Sequence, residues 1–223
     1  IIEFEGNKKN NLVSREIDLP GIYKEKNGND LERKYKLFGK SSHDWDAKMC
    51  VSFSNDGLHW SGKHLCPQIE AAGDTNNNVF WSSELNKYIG ITRLWSIDPV
   101  NTTFNDIPEK DWIWKKPHRI VARTDSFDFL TWSKAENILE GLDWGHQTYA
   151  MSVFKYANVY LGFVMIFNPM TDRVHCELAW SKDSLNWQRI CPGTDFIGNA
   201  DEVGGYDWGC LYASSPIIKE DKI

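Results

Sequence analysis

The stretch Ser181-Lys182-Asp183-Ser184-Leu185-Asn186-Trp187 is repeated position for position by Ser54-Asn55-Asp56-Gly57-Leu58-His59-Trp60. A third copy, Thr124-Asp125-Ser126-Phe127-Asp128-Phe129-Leu130-Thr131-Trp132, reads as the same unit stretched by an insertion. Each copy follows an alternating run: Met49-Cys50-Val51-Ser52-Phe53, Ile120-Val121-Ala122-Arg123 and Glu177-Leu178-Ala179-Trp180. A fresh polar-apolar run comes after each, so every copy spells strand, tight polar turn, strand. The Asp and Ser side chains suit hydrogen bonds to the turn backbone, and the Trp suits covering the hairpin from the next strand.

The three Trp fall at positions 60, 132 and 187, intervals of about 72 and 55 residues. Repeats of that size, each built from several strands, are the signature of β-propeller blades. Working outward from the turns, residues 34–38 and 49–53 supply strands of one blade, after a weak strand at 12–17 and a turn at Pro20-Gly21. The next blade runs through strands at 78–81, 87–94 and 119–123, with a fourth from Trp132. Its loop at 95–118 carries Trp95, Trp112 and Trp114, and a connection of that length inside a compact domain is usually functional. A third blade takes 149–154, 158–167, 174–180 and the run from Trp187. Cys210-Leu211-Tyr212-Ala213 then opens another first strand. The expected fold is therefore all-β: a single β-propeller domain over 1–223, with four-stranded antiparallel blades, about three present and another begun. A closed ring needs at least about four blades, so the propeller is expected to be incomplete in this chain.

Composition narrows the partners. The chain of 223 residues has 41% hydrophobic and 13% aromatic residues, including 11 Trp, enough for a large core and for sugar stacking. A net charge of −6 with no basic run argues against nucleic acid and anionic membrane. No apolar stretch is long enough to span a bilayer. The chain begins at Ile1 rather than Met, so a removed signal peptide would leave no trace, and the compartment is left open. Five scattered Cys without a Cys-x-x-Cys read as buried free thiols. No His/Cys/Asp set has zinc spacing, and neither a Gly-rich phosphate loop nor a Gly-x-Ser-x-Gly elbow occurs, so no metal or cofactor is expected.

In a four-stranded meander the three-to-four turns share a face with the one-to-two turns. The repeated motifs therefore belong to a structural bottom face. First strands line the channel, and the residues just ahead of them ring its mouth: Gly73-Asp74-Thr75-Asn76, Asp143-Trp144-Gly145-His146-Gln147 and Tyr206-Asp207-Trp208-Gly209. Carboxylates and Trp around a funnel are what a sugar site needs, although each Asp also suits an ordinary turn cap. Arg119, at the end of the long loop, suits a carboxylate or a sugar hydroxyl, and equally an ordinary strand-end charge.

The segments Arg33–Leu37, Ser54–Trp60, Gly73–Trp81, Lys87–Gly90, His118–Arg123, Gln147–Met151 and Tyr160–Phe163 resemble a bacterial group of glycoside hydrolase-like proteins. That group is similar to the five-bladed propellers of glycoside hydrolase families 32 and 43, the invertase, levanase and arabinanase clan. The resemblance covers about residues 20 to 223. It implies a five-bladed propeller that cleaves a glycosidic bond of a carbohydrate with carboxylates on its innermost strands. Asp74 matches an inner-strand Asp of the clan. Asp207 is the second candidate, and Glu177 or Glu202 the general acid. Arg119, His146, Trp144, Trp208 and Trp114 are the candidate substrate-binding residues. The invertase signatures Trp-Met-Asn-Asp-Pro-Asn-Gly, Arg-Asp-Pro and Glu-Cys are absent. The alternative reading is a non-catalytic carbohydrate-binding propeller that kept the aromatic funnel and lost an acid.

Overall fold

The computed structural model describes residues 2–25, 30–42, 48–96 and 117–217. Among these residues twelve strands form three four-stranded antiparallel sheets, and the described helix amounts to two single turns of 3-10 type. In chain order the strands are β1 (Ile17–Lys24), β2 (Tyr35–Ser41), β3 (Met49–Ser54), β4 (His64–Leu65), β5 (Asn78–Ser82), β6 (Lys87–Ser96), β7 (His118–Ser126), β8 (Glu136–Leu139), β9 (Gln147–Tyr156), β10 (Val159–Asn168), β11 (Arg173–Ser181) and β12 (Trp187–Ile190). Each sheet is a plain meander: β1-β2-β3-β4, β5-β6-β7-β8 and β9-β10-β11-β12. The chain divides into two compact units, Ile1–Thr92 with Arg123–Glu136, and Arg93–Ala122 with Asn137–Ile223.

The repeated motif occupies the three-to-four turn of each sheet, between β3 and β4, β7 and β8, and β11 and β12. In the last copy, Ser181 Oγ accepts from the amides of Asp183 (3.2 Å) and Ser184 (2.9 Å) and donates to Asp183 Oδ1 (3.0 Å). Asp183 Oδ1 in turn accepts from the amides of Leu185 and Asn186, both at 2.8 Å. Trp187 Nε1 closes the turn on the Ser184 carbonyl at 3.1 Å. Ser54, Asp56 and Trp60 reproduce every one of these bonds, and so do Ser126, Asp128 and Trp132. The middle copy therefore carries no insertion. Its register is Ser126-Phe127-Asp128-Phe129-Leu130-Thr131-Trp132, and the extra polar residues Thr124 and Asp125 belong to β7. The slot after each Asp takes a left-handed backbone, with φ of 81° at Gly57, 65° at Phe129 and 63° at Ser184.

In the first unit, β1 begins at Ile17, later than the 12–17 run suggested, and Pro20-Gly21 is no turn. The pair sits inside β1 at a bulge between Asp18 and Gly21, where proline's missing N–H costs no ladder bond. A Cβ on Gly21 would meet the Asn77 carbonyl oxygen at 2.7 Å, so the glycine lets β1 approach the start of β5. The first sheet is thus complete, with all four strands in this chain. Phe129 and Trp132 organise an aromatic cluster: Trp132 lies 4.8 Å from Phe38, and Phe129 lies 5.1 Å from Tyr88 and 5.9 Å from Phe53. These rings each remove a large apolar area from water, and the edge-to-face pairs that Phe129 makes with Tyr88 and Phe53 add about 0.5–1.5 kcal/mol each.

In the second unit, β9 to β12 bury Met151, Val153, Val164, Met165, Ile166, Cys176 and Ala179. Gly162 on β10 leaves room for Trp187, whose ring carbon would stand 3.0 Å from an added Cβ. Cys210–Ala213 does not open a new sheet. Cys210 makes one parallel bridge to Val174, and the Ala213 carbonyl accepts from Ser152 Oγ at 2.8 Å. All five Cys are free, as expected, but only Cys50, Cys66 and Cys176 are buried; Cys191 and Cys210 are exposed.

Candidate functional site

In the antiparallel sheet β9–β12, the start of β9, the end of β10, the start of β11 and the end of β12 share one edge. The loops at 140–146, 169–172 and 191–208 leave from that edge, opposite the motif turn. A strand's period of two puts His175 and Glu177 of β11 on the same face. Arg189 of β12 pairs in register with Ala179, which shares that face, and reaches back to Glu177. His146 arrives from the segment just before β9. That segment is packed so closely that a Cβ on Gly141 would lie 1.7 Å from the His146 carbonyl oxygen.

These four side chains form one cluster. Glu177 is fully buried. Its Oε1 accepts from His146 Nε2 at 2.5 Å and from the Gly193 amide at 3.1 Å. Its Oε2 accepts from Arg189 Nη2 at 2.5 Å and Nε at 3.1 Å. His175 Nε2 stands 3.7 Å from Glu177 Oε1 and 3.4 Å from Asp195 Oδ1. Burial alone would raise the Glu177 carboxyl. The hydrogen bonds from His146 and Arg189, the Arg189 charge and the nearby His175 overcome it and hold the group well below the usual carboxylate range. A general acid must carry a proton at working pH and reach the leaving oxygen. An ionised, sealed Glu177 is built instead to position His146 and Arg189. The His146, His175 and Glu177 donor atoms lie within 4.8 Å of one another, close enough to hold a metal ion.

The remaining sequence candidates are placed as follows. Arg119 donates from its amide and from Nη1 to Gln147 Oε1, both at 3.2 Å. Its guanidinium lies over Phe167 (4.5 Å), Trp95 (4.8 Å) and Tyr149 (5.4 Å). Gln147 Nε2 donates to the Trp144 carbonyl at 3.0 Å, so one glutamine joins the candidates Arg119 and Trp144. The Trp144 ring is buried, which takes it out of use as an open stacking platform. Trp208 lies under the Arg173 guanidinium at 5.2 Å, and its carbonyl accepts from Arg173 Nε at 2.8 Å. Asp207 is fixed through its backbone carbonyl, which accepts from Asn199 Nδ2 at 3.0 Å. It does not precede a first strand as Asp74 does, because 210–217 form no strand of a sheet. Trp114 lies outside the described residues.

Asp74 belongs to the first unit, in the connection leading to β5. Its carboxylate is exposed and 3.8 Å from Lys40 Nζ. The turn that carries it is held by the buried Asn77, whose Nδ2 donates to the carbonyls of Leu19 (2.9 Å), Gly73 (3.0 Å) and Thr75 (3.1 Å). Asn77 Oδ1 accepts from Thr92 Oγ1 at 2.8 Å.

Sequence reasoning found His146 and Glu177 separately but missed His175, Arg189 and their meeting. The available signal was charge at alternate positions, His175-x-Glu177, facing inward on an otherwise apolar strand.

No protein family and no curated protein matches the chain. Solved structures do. An N-acetylgalactosamine deacetylase from F. plautii, in complex with blood group B trisaccharide, matches with a TM-score of 0.52 at 15% identity, over 78% of this chain and 52% of that one. The Bombyx mori GH32 β-fructofuranosidase BmSUC1 gives 0.50 at 12%, over 72% and 32%. A GH43_12 protein retrieved from capybara gut metagenome gives 0.51 at 10%, over 81% and 31%. The neighbours thus include GH32- and GH43-type glycoside hydrolases, and at these identities the likeness is one of fold. The chain spans between about a third and a half of the length of these structures.

Proposed function

We propose that this chain is part of a glycoside hydrolase that cleaves a glycosidic bond of a carbohydrate substrate. The observation that carries the reading is the buried Glu177 held by His146 and Arg189 at the loop edge of a four-stranded sheet, on a fold shared with carbohydrate-processing enzymes. Burying the Glu177 carboxylate is costly unless it is paired, and such pairing usually serves a site rather than a core.

In this proposal Asp74 is the candidate nucleophile, base or transition-state stabiliser in the first unit, and Asp207 is a candidate carboxylate in the second. Glu177 is a positioning residue that sets the orientation of His146. The exposed Glu202, in the 191–208 loop, takes the general-acid role that the sealed Glu177 is poorly built for. A carboxylate pair about 5–5.5 Å apart would retain anomeric configuration, and one about 6.5–9.5 Å apart would invert it.

The test is to assay the full-length protein against fructans, arabinans and aryl glycosides, with Asp74→Asn alongside. Hydrolysis by the wild type and its loss in Asp74→Asn supports the proposal. Hydrolysis that survives Asp74→Asn overturns the site. A sugar that is bound but left uncleaved replaces the enzyme with a carbohydrate-binding module.

A further inference from the structure

We propose that His146, His175 and Glu177, with Asp195 beside His175, form a binding site for a divalent transition-metal ion of the zinc class. The inference goes beyond the glycosidase reading and does not depend on it.

The geometry around His175 is the first argument. Its Nε2 is buried yet makes no hydrogen bond. Leaving such a group without a partner costs about 1–3 kcal/mol. Two carboxylate oxygens nevertheless face it, at 3.7 Å from Glu177 and 3.4 Å from Asp195. Those separations are long for hydrogen bonds. They suit two ligands of one tetrahedral ion, since donors about 2.0–2.1 Å from zinc stand roughly 3.3 Å apart.

The donor set is the second argument. Two imidazole nitrogens and one or two carboxylate oxygens are a ligand combination that zinc takes readily. Glu177 is divided between two tasks: Arg189 holds Oε2, and Oε1 faces both histidines. A metal would open the 2.5 Å contact between His146 Nε2 and Glu177 Oε1 by less than about 1 Å to reach the tetrahedral separation. The proton shared there would pass to His146 Nδ1, so the imidazole binds as its other neutral tautomer. The contacts from the Leu142 amide and Arg189 Nη2 to His146 Nδ1, each already 3.3 Å, are the ones that must lengthen as Nδ1 takes up its proton.

The consequence for the fold is local. Gly193 and Asp195 follow β12 closely, so an ion at this place would tie the 191–196 loop to β11 and to the segment before β9.

The experiment uses the full chain, stripped with a chelator and carrying Cys191→Ser and Cys210→Ser, because exposed thiols would bind zinc on their own. Calorimetric titration with zinc chloride should give one ion per chain. His175→Ala removes a ligand that has no hydrogen bond to lose, so the fold should survive, as circular dichroism would verify. Zinc affinity should then fall at least about 100-fold, and Asp195→Asn should lower it about tenfold. Absence of stoichiometric binding in the parent, or zinc binding by folded His175→Ala within about threefold of the parent, overturns the proposal. No hydrolysis is measured, so failure here and failure of the glycosidase reading are separate results.

Discussion

The Arg189 guanidinium grips a single oxygen of Glu177, with Nη2 at 2.5 Å and Nε at 3.1 Å from Oε2. The other oxygen is left to His146 and the Gly193 amide. A buried carboxylate so divided depends on its cation. Removing that cation strands a charge in a place water does not reach. Arg189→Met should therefore destabilise the protein by about 3–5 kcal/mol, read as a lower urea midpoint at unchanged slope. Adding Glu177→Leu to Arg189→Met should recover much of that loss, because the pair itself is worth far less than one orphaned partner. A double variant less stable than Arg189→Met would contradict this account.

The same carboxylate gives the acid limb of stability a defined sign. Burial pushes Glu177 up, but the bonds from His146 and Arg189, with the nearby His175, prevail, so its folded value lies below its unfolded one. A depressed group contributes stability that is fully present above the unfolded value, about 4.3, and is lost as pH falls below it. The wild type should lose stability more steeply below about pH 4.5 than Glu177→Gln does, and the two slopes should agree near neutrality. Urea midpoints measured across that range decide it. Parallel acid limbs would mean that Glu177 is not the group responsible.

The left-handed slot of the repeated turn offers a cleaner backbone test. At Gly57 φ is 81°, and an added Cβ would meet only the Tyr35 ring at 3.6 Å, an ordinary contact. Gly57→Ala should thus cost only the conformational penalty, about 1–2 kcal/mol, with no steric addition. Thermal melting of the variant would show it. A drop several times larger would mean that the turn cannot hold its hydrogen bonds without the glycine.

The turn motifs also mark what was legible in the sequence. Ser, Asp and Trp act within seven residues, through bonds between i and i+2 or i+3, so local spacing carries the whole structure of the turn. The one misreading there, an insertion in the middle copy, came from counting Thr124 and Asp125 into the turn. Their polarity hid the fact that β7 continues to Ser126, where Asp125 is neutralised by Lys87 and Arg123 at 2.9 Å each. Pro20-Gly21 was misread for a similar reason: a bulge and a turn use the same residues, and only the partner strand distinguishes them. The candidate site was harder. Arg189 meets Glu177 across a strand pair, and His146 comes from a third segment, so no spacing along the chain reveals the cluster.

The Asp74 turn allows scaffold and chemistry to be separated in adjacent residues. Asn77 Nδ2 points at three carbonyl oxygens, of Leu19, Gly73 and Thr75, while Oδ1 receives the Thr92 hydroxyl. Asn77→Ala abandons these buried partners and should cost about 2–3 kcal/mol. Asn77→Asp is nearly isosteric, yet it turns a carboxylate oxygen toward those carbonyls and should cost more than the alanine. That order, reversed from what shape alone would give, is the signature of the amide's donor role. Asp74→Asn lies three residues away on an exposed side chain whose ion pair with Lys40 is only 3.8 Å. It should leave the melting temperature within about 1 °C, since exposed pairs contribute little. If the carboxylate works on a glycosidic bond, Asp74→Asn should nevertheless abolish hydrolysis by the full-length protein, while Asn77→Ala should retain activity per folded molecule at a temperature well below its melting point. A large loss of stability in Asp74→Asn would make the residue a structural cap of its turn and remove it from the chemistry.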